Sequence, residues 1–297
     1  MDFRLSTSSK KQKQSSGSKI QLLSPAKINL YLNIIGKYPN GFHRLESIVE
    51  RISLCDEITI KAEKKPAINI FSNVKSLEND QNLAVKAALA LKKKCKLILG
   101  FDIFLKKKIP IGSGLGGGSS NAATVLLGIN KLLDLGLKKE ELYSLGANLG
   151  SDVNFFISES KFAYLTGRGD EVNPLNIDNK FSHFIIWPAI KVSTKKVYEN
   201  SRVKLTKIFN SANILQYALK TKDSLLIKKS IFNALEKSAF SLCPELVRVK
   251  EVLNKCRVFS KLTGSGSAFY TIFANTSIGK IRSVVPNNWV VLKAQTF

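Results

Sequence analysis

Residues Pro110 to Ala123 read PIGSGLGGGSSNAA, and glycine occupies positions 112, 114, 116, 117 and 118. Because glycine has no Cβ atom, such a loop can curl until successive backbone N–H groups face one anion. Directly after the loop, apolar residues recur at helical intervals: Ala122, Leu126, Ile129 and Leu133. The N-terminus of that helix adds the positive end of its dipole. The segment is therefore predicted to bind phosphate, with polar Ser119 and Ser120 where the helix begins.

Three other glycine-rich nucleotide loops do not fit this segment. A Walker A loop requires Gly-Lys-Ser/Thr, and no such tripeptide occurs here. The dinucleotide-binding spacing is formally present at Gly112, Gly114 and Gly117, but Lys-Ile-Pro separates it from the preceding strand pattern. A protein kinase would also need an HRD catalytic loop and a DFG triplet, and the sequence contains neither.

Away from the loop, the periodicity predicts a mixture of strands and helices. Apolar and polar residues alternate from Ile20 to Ile35, which predicts a strand with Lys27 and Asn29 on one face. Two shorter strands are predicted at residues 47–54 and 57–62, and a helix at residues 82–94. The segment 173–180 is rich in Asn, Asp and Pro and is predicted to cross between two domains. This divides the chain into a disordered basic tail at residues 1–19, a domain at 20–175 and a second at 176–297.

The composition indicates a globular protein that folds in water. Hydrophobic residues make up 44% and charged residues 23% of the chain, and no apolar run approaches the ~18 residues of a membrane-spanning helix. The formal charge of +24 arises from lysines in short scattered clusters, without an RNA-binding aromatic motif or a zinc-finger spacing. Neither a membrane nor a nucleic-acid partner is predicted.

The cysteines and the N-terminal tail bear on location. Four cysteines lie far apart without a Cys-x-x-Cys pair, so neither a zinc site nor a disulfide framework is predicted: Cys55, Cys95, Cys243 and Cys256. The tail is rich in Ser, Lys and Gln and has no apolar core, which excludes a secretory signal. A cytoplasmic location is expected, with the plastid stroma as the alternative if the tail is a targeting segment.

The glycine loop resembles that of the GHMP kinases, whose pattern is P-x3-G-L-G-G/S-S-x-A-A. Four further stretches resemble motifs of this family, in the same order: SPAKINLYLNIIG at 24–36, GFHRLESI at 41–48, LGSDVNFF at 149–156 and LTGSGSAFY at 262–270. The resemblance extends from about residue 21 to residue 273. It is greatest to the branch of the family that acts on a methylerythritol linked to cytidine diphosphate.

The resemblance implies a two-domain α+β fold. The N-terminal domain would bind ATP and have the fold of a ribosomal protein domain, and the C-terminal domain would be ferredoxin-like. The implied activity is ATP-dependent phosphorylation of the 2-hydroxyl of the cytidyl-linked methylerythritol, with ATP and Mg²⁺ as cofactors. The implied partner is this small molecule alone, and the expected assembly is a monomer or a weak homodimer.

The resemblance also implies that Lys27 is a catalytic cation and Asp152 its carboxylate partner. Transfer of a γ-phosphoryl group to an alcohol needs positive charge near that group and a group to accept or orient the hydroxyl proton. Taken alone, a lysine in a strand is usually solvated, and an aspartate after Gly-Ser is usually a turn residue or a helix cap.

Five residues match substrate-binding positions of the family: Asn29, Phe42, His43, Thr194 and Tyr198. Asn29 would orient a reacting group, Phe42 and Tyr198 would stack on the two sides of the base, and Thr194 would be a neighbouring polar contact. His43 would supply a hydrogen bond to the edge of the base. The alternatives are a polar residue of an edge strand for Asn29 and a core aromatic for Tyr198.

The residues matched to ATP are Pro110, Gly112, Gly114, Leu115, Gly116, Gly117, Gly118, Ser119, Ser120, Asn82 and Lys107. Lys107 belongs to a lysine run whose default interpretation is a solvated face. Mg²⁺ is expected because it neutralises the β- and γ-phosphate oxygens, with a loop serine as a candidate contact. The sequence assigns no other metal ligand.

Two residues depart from the family pattern, and two alternative functions stay open. Phe42 stands where the family usually has Tyr, and Asn154 where it usually has Pro. Another GHMP kinase, acting on homoserine, mevalonate or a sugar, would keep the loop but lack the Gly41-Phe42-His43 base site. An RNA-binding protein would use the same N-terminal fold and the basic charge, but it would have no use for Lys27 paired with Asp152.

Overall fold

A computed structural model of the chain describes residues 17–201, 212–255, 257–272 and 277–297. Most of the predicted N-terminal tail and Cys256 lie outside the described residues. None of the helices in the described part has the length and apolarity needed to cross a bilayer.

The described strands are β1 (Lys19–Lys37), β2 (His43–Glu63), β3 (Ile68–Ser72), β4 (Gly100–Lys106), β5 (Phe162–Thr166), β6 (Glu171–Leu175), β7 (Ser182–Trp187), β8 (Phe232–Asn233), β9 (Ser260–Leu262), β10 (Phe269–Thr271) and β11 (Val290–Gln295). The described helices are α1 (Leu83–Cys95), α2 (Gly117–Leu132), α3 (Lys139–Leu149), α4 (Val153–Ser158), α5 (Thr194–Glu199), α6 (Ala212–Thr221), α7 (Ser224–Ser230), α8 (Glu236–Leu242), α9 (Glu245–Lys255) and α10 (Ile278–Arg282).

The first sheet has the strand order β3-β4-β2-β1-β8, and β5 and β6 extend it from the first half of β2. The long β2 pairs with β1 over almost its whole length, with β5 near its start and with β4 near its end. Helices α1, α2 and α4 contribute the buried apolar residues that cover one face of this sheet. The glycine loop connects β4 to α2, as its position after a strand pattern predicted.

The second sheet has the order β11-β7-β10-β9, with all pairs antiparallel. Numbered along the chain, this order is 4-1-3-2, and helices separate the first strand from the second and the third from the fourth. That is the split β-α-β arrangement of ferredoxin-like domains. The predicted α+β fold is confirmed. One strand from this half, β8, leaves it and pairs parallel with β1 of the first sheet.

Strand β1 is buried on both faces, because the two halves of the molecule meet on it. Ala26, Ile28 and Leu30 belong to a buried cluster that also contains Phe181 and Ile185 from the second half. Lys27 and Asn29, on the opposite face, are each only 5% exposed. The alternation predicted that Lys27 and Asn29 share one face of the strand, and the structure buries that face as well.

Two segment predictions differ from the structure. The two short strands predicted at residues 47–54 and 57–62 form one strand, β2, with a register shift opposite Pro25 and Ala26 that accommodates the irregular residues between them. The predicted domain crossing at 173–180 begins too early, because Asn173 and Pro174 belong to β6 and pair with β5. The cross-strand pairing of that hairpin overrides the turn-forming composition.

Candidate active site

A cavity of about 960 Å³ opens between the glycine loop, β1, the start of α4 and the turn at Gly264 and Ser265. Nearly all of the site residues predicted from the sequence line it: Lys27, Asn29, Phe42, His43, Asn82, Lys107, Pro110, Gly112, Gly114, Leu115, Gly116, Gly117, Gly118, Ser119, Asp152, Thr194 and Tyr198. Ser120 is the exception. The structure thus brings residues from both halves of the chain around one space.

Lys27 and Asp152 form an ion pair inside the cavity. The Lys27 Nζ atom lies 3.3 Å from Oδ2 of Asp152 and donates a 2.6 Å hydrogen bond to Oδ1 of Asn29. The lysine side chain is 6% exposed and the aspartate side chain 32% exposed. The ammonium group of Lys27 is therefore held by two partners and almost shielded from solvent, whereas the carboxylate of Asp152 is accessible from the cavity. This geometry excludes a solvated strand lysine.

Asn29 holds the lysine in place through bonds of its own. Its amide nitrogen donates to Oγ of Ser47 at 3.0 Å, and its backbone N–H donates to Oγ1 of Thr263 at 3.1 Å. Since an amide with both ends bonded has a fixed orientation, Oδ1 of Asn29 is directed at Lys27. Asn29 is 5% exposed and both ends of its amide are bonded, so it is not a solvated polar residue of an edge strand.

Asp152 occupies the position before the first residue of α4, where an aspartate would ordinarily cap the helix. Its side chain makes no capping hydrogen bond. Without that hydrogen bond the helix lacks the stabilisation of a cap, so the role of a helix cap does not explain why an aspartate stands here. Its charge is directed instead toward Lys27.

The glycine loop curls over Lys27. Gly114 and Gly116 have φ angles of +82° and +73°, values that residues with a side chain rarely adopt. A Cβ atom at Gly116 would lie 3.0 Å from Cγ of Lys27, and one at Gly114 would lie 2.4 Å from the carbonyl oxygen of Thr263. Gly116 directly precedes α2, so the first N–H groups of the helix have no partner within it, and Gly117, Gly118 and Ser119 of this turn line the cavity. The loop therefore has the geometry of an anion cradle.

Ser120 does not face the cavity. Its side chain is fully buried, and its Oγ lies 2.8 Å from Oγ of Ser24. One helical residue further, Nδ2 of Asn121 donates to Ser24 and to Oδ2 of Asp56, both at 2.9 Å. These bonds pin the start of α2 to β1 and β2. Of the loop serines, Ser113 and Ser119 line the cavity, and the Ser113 hydroxyl donates to the carbonyl of Pro110 at 2.6 Å.

Lys107 is not a solvated lysine, because its ammonium group pairs with the buried carboxylate of Asp56. It also donates to Oδ1 of Asn121 at 3.2 Å. The other oxygen of Asp56 accepts the backbone N–H groups of Lys108 and Ile109 at 2.7 and 2.9 Å. Asp56 thus fixes the chain segment that leads into the glycine loop. Sequence reasoning missed this residue, since nothing near Asp56 in the sequence points to the loop.

Asn82 lines the cavity but uses its side chain within the fold. Oδ1 accepts the N–H of Ala84 and so caps α1, and Nδ2 donates to the carbonyl of Leu77. Any contact of Asn82 with a ligand would therefore compete with the cap or use the exposed faces of the amide.

The predicted base site lies on the side of the cavity next to Asp152. The rings of His43 and Tyr198 are 5.4 Å apart between centroids, and Phe42 is 52% exposed. Burial and the nearby charge of Lys37 lower the pKa of His43 below its usual value of 6.5, so the neutral ring with one donor and one acceptor predominates at neutral pH. Burial and the negative charge of Asp152 raise the pKa of Tyr198, which keeps its hydroxyl protonated.

Thr194 begins α5 and meets the third glycine motif. Its Oγ1 lies 2.8 Å from Oγ of Ser265, and both residues line the cavity. Ser265 lies within the motif LTGSGSAFY, but sequence reasoning did not identify it as a site residue. The pair closes the side of the cavity contributed by the second half of the chain.

Comparisons with known proteins identify the family of the chain. Residues 82–160 match the family described as GHMP kinases N terminal domain, and residues 215–291 match GHMP kinases C terminal. A curated relative from Geobacter sp., named 4-diphosphocytidyl-2-C-methyl-D-erythritol kinase, is 40% identical over 257 residues, which cover 86% of this chain and 90% of the relative. The chain belongs to the GHMP kinase family.

Further known proteins and solved structures are similar to this GHMP kinase. A protein of the same name from Acinetobacter baylyi is 37% identical over 253 residues, which cover 85% of this chain and 86% of that protein. A crystal structure of 4-(cytidine 5'-diphospho)-2C-methyl-D-erythritol kinase superposes with a TM-score of 0.78 at 27% identity, covering 94% of this chain and 100% of the other. A mevalonate kinase from L. major, at 15% identity and a TM-score of 0.73 over 95% of this chain and 97% of its own, shares the fold.

Metal-binding residues are sparse in this GHMP kinase. Within the described residues, no group of three or more His, Cys, Asp and Glu side chains is arranged to hold a metal ion. The oxygen atoms that line the cavity include those of the Ser119 hydroxyl and the Asp152 carboxylate. Such a set fits a hard cation whose remaining ligands are phosphate oxygens and water.

Proposed function

We propose that this GHMP kinase transfers the γ-phosphoryl group of ATP to the 2-hydroxyl of 4-diphosphocytidyl-2-C-methyl-D-erythritol, a step of the non-mevalonate route to isoprenoids. The observation that carries the proposal is the presence of Phe42, His43 and Tyr198 in the same cavity as the Lys27–Asp152 pair and the glycine loop. Homoserine and mevalonate carry no base, so a kinase of either would not need these rings to hold its acceptor.

The catalytic pair supports a direct transfer. Asp152 accepts the proton of the substrate hydroxyl while the hydroxyl oxygen bonds to the γ-phosphorus of ATP. The bond from that phosphorus to the β–γ bridging oxygen breaks, and ADP leaves with its electron pair. Lys27, held by Asn29 and Asp152, stabilises the negative charge on the transferring group. Because the lysine is already positioned, little reorganisation is needed at the moment of reaction.

The glycine loop and the start of α2 bind the triphosphate of ATP. Their unpaired N–H groups supply fixed donors, and the helix adds its positive dipole end. Mg²⁺ bound to the triphosphate would be held by Ser119 and Asp152, and it supplies charge neutralisation of the phosphate oxygens. Asp56 and Asn121 keep the loop in register with β1.

The base site supports a cytidine nucleotide as substrate. Tyr198 and Phe42 offer aromatic faces for stacking, and neutral His43 can donate to or accept from the base edge. We place the protein in the cytoplasm, because its described cysteines Cys55, Cys95 and Cys243 are free thiols and its proposed substrates are metabolites. A monomer or a weak homodimer stays the expected assembly.

An assay of ATP consumption against a panel of acceptors tests the proposal. The cytidyl-linked methylerythritol should be phosphorylated, and homoserine and mevalonate should not. Turnover of homoserine or mevalonate in preference to the cytidyl substrate would assign the chain to another branch of the family. Tight RNA binding without any turnover would support the RNA-binding alternative instead.

A further inference from the structure

The turn between β5 and β6 brings Arg168 to the base site. Its guanidinium carbon lies 5.3 Å from the centroid of the Phe42 ring, within the range of a cation–π contact. Both residues line the cavity. Arg168 belongs to none of the motifs that carry the resemblance, and β5 and β6 place it there only through the fold.

Arg168 is held firmly in this position. Nε and Nη2 donate to Oδ2 of Asp170 at 3.0 and 2.5 Å, and the backbone N–H of Arg168 donates to Oδ1 of the same aspartate at 2.9 Å. Nη2 also reaches the carbonyl of Ala147 at 3.4 Å. A guanidinium fixed by several hydrogen bonds loses little further freedom when it supports a ring.

The turn between β5 and β6 is also hydrogen-bonded to α4, the helix that follows Asp152. Nδ2 of Asn154 donates to the carbonyl of Asp170 at 3.0 Å. Asn154 is the residue that stands where the family pattern has Pro, and a proline side chain has no donor for such a bond. The two departures from the family pattern, Asn154 and Phe42, therefore lie at the two ends of one chain of contacts through Asp170 and Arg168.

Phe42 needs such support because its ring has no hydroxyl to anchor it and is half exposed. We propose that Arg168 is a positioning residue of the base site, which clamps the Phe42 ring so that its other face receives the base of the cytidine nucleotide. The inference rests on the proposed function. It assigns to Asn154 and Asp170 the role of holding Arg168, and it leaves phosphoryl transfer to Lys27 and Asp152.

Arg168→Ala tests the proposal. We expect KM for the cytidyl substrate to rise roughly 2- to 5-fold, as for loss of a partly exposed cation–π contact, with kcat and KM for ATP unchanged. The dissociation constant of cytidine diphosphate, measured by calorimetry, should rise by the same factor. Arg51→Ala is the matched control, because Arg51 lies 4.7 Å over the ring of Phe297, away from the cavity, and its loss should change neither constant.

A double-variant cycle separates positioning from general loosening of the turn. If Arg168 acts through the ring, Arg168→Ala should have almost no further effect on cytidine diphosphate binding once Phe42→Leu has removed the ring. Equal effects in both backgrounds would overturn the proposal, as would unchanged binding in Arg168→Ala. Wild-type protein that neither binds cytidine diphosphate nor phosphorylates the cytidyl substrate would overturn the proposed function as well, so the two failures are distinguishable.

Discussion

At the scale of single residues, the fold gives Lys27 and Asp152 roles that differ from those usual for a strand lysine and for an aspartate before a helix. Lys27 is a strand lysine that is not solvated, and Asp152 precedes a helix that it does not cap. Burial without neutralisation is costly for a lysine, so its two partners matter for stability as well as for position. The pair places a cation and a carboxylate side by side in the cavity, the two kinds of charge that phosphoryl transfer uses.

Asp152→Asn should keep the size of the side chain and remove the proton acceptor. We expect kcat to fall by roughly 10²–10⁴, with small changes in KM, because the lost interaction matters mainly in the transition state. Steady-state kinetics on the cytidyl substrate measure this. Near-normal turnover in a folded variant would exclude Asp152 from the chemistry.

Lys27→Met should also slow turnover. If Lys27 and Asp152 act as a unit, the double variant Lys27→Met/Asp152→Asn should be hardly slower than the worse single variant.

Tyr198→Ala should weaken binding of the cytidyl substrate by about 1–3 kcal/mol, the usual contribution of an aromatic ring stacked on a base. ATP binding should change little. Tyr198→Phe is the control, since it keeps the ring and loses only the hydroxyl. Calorimetric titration with each ligand measures both affinities, and an equal loss for ATP and substrate would mean that Tyr198 serves the core rather than the base.

At the scale of elements, the decisive unit is the loop and helix from Pro110 to Leu132. The glycine pattern and the helical period are local, so the sequence was sufficient to predict both the loop and the helix after it. The conformation of each glycine was not predictable. Gly116 and Gly114 take positive φ angles, whereas Gly117 begins α2 and does not. Ser120 faces inward because the helix turns it toward Ser24.

Gly116→Ala should abolish or strongly weaken ATP binding. The substitution combines an unfavourable positive φ with a Cβ atom 3.0 Å from Lys27, so the cradle and the catalytic cation would both shift. Gly136→Ala is a matched control, because Gly136, four residues after the end of α2, has a similar φ of +67° but open space around it and no place in the cavity. Calorimetry with an ATP analogue measures the effect, and equal affinities in the two variants would refute the cradle.

At the scale of the whole molecule, a buried polar cluster outside the cavity joins the two halves. Nε2 of His183 on β7 lies 3.0 Å from Oε1 of Glu50 on β2, and Nδ1 lies 2.8 Å from the carbonyl of Thr271. Oγ1 of Thr296, near the C-terminus, donates to the same carboxylate oxygen at 2.6 Å. Glu50 and His183 are essentially unexposed. The division at residues 175 and 176 stays a prediction, but this cluster and β8 show that the two halves share an interior.

Stability should fall as pH rises above about 6.5, the ordinary pKa of histidine. Burial lowers the pKa of His183, but the charge of Glu50 and the hydrogen bonds to Glu50 and Thr271 outweigh it, so the folded-state pKa is raised. The folded state then binds the proton more tightly than the unfolded state. The stabilisation by protonated His183 is fully present below the pKa that histidine has in the unfolded chain, and it is lost as pH rises through the pKa of His183 in the folded state. It amounts to about 1.4 kcal/mol for each tenfold difference in proton affinity between the two states.

Urea denaturation of wild type and Glu50→Gln between about pH 6 and pH 8 measures this effect. The variant should lose the slope, because it removes the charge that raises the pKa of His183. The chain has two histidines, and His43→Gln is the control, since the pKa of His43 is lowered and its loss should leave the slope in place. A slope that survives in Glu50→Gln would assign the pH dependence to other groups.

The sequence by itself determined the glycine loop and the helix after it, and the resemblance of its motifs to those of the family implied the α+β class. The loop and the helix depend on neighbours a few residues apart, which a short window contains. Only the tertiary structure decided which polar residues are buried and what they contact. Asn29 meets Thr263 across 234 residues of chain, and Ser24 meets Ser120 across 96. Such pairings depend on how the sheets and helices pack, and no local pattern records them.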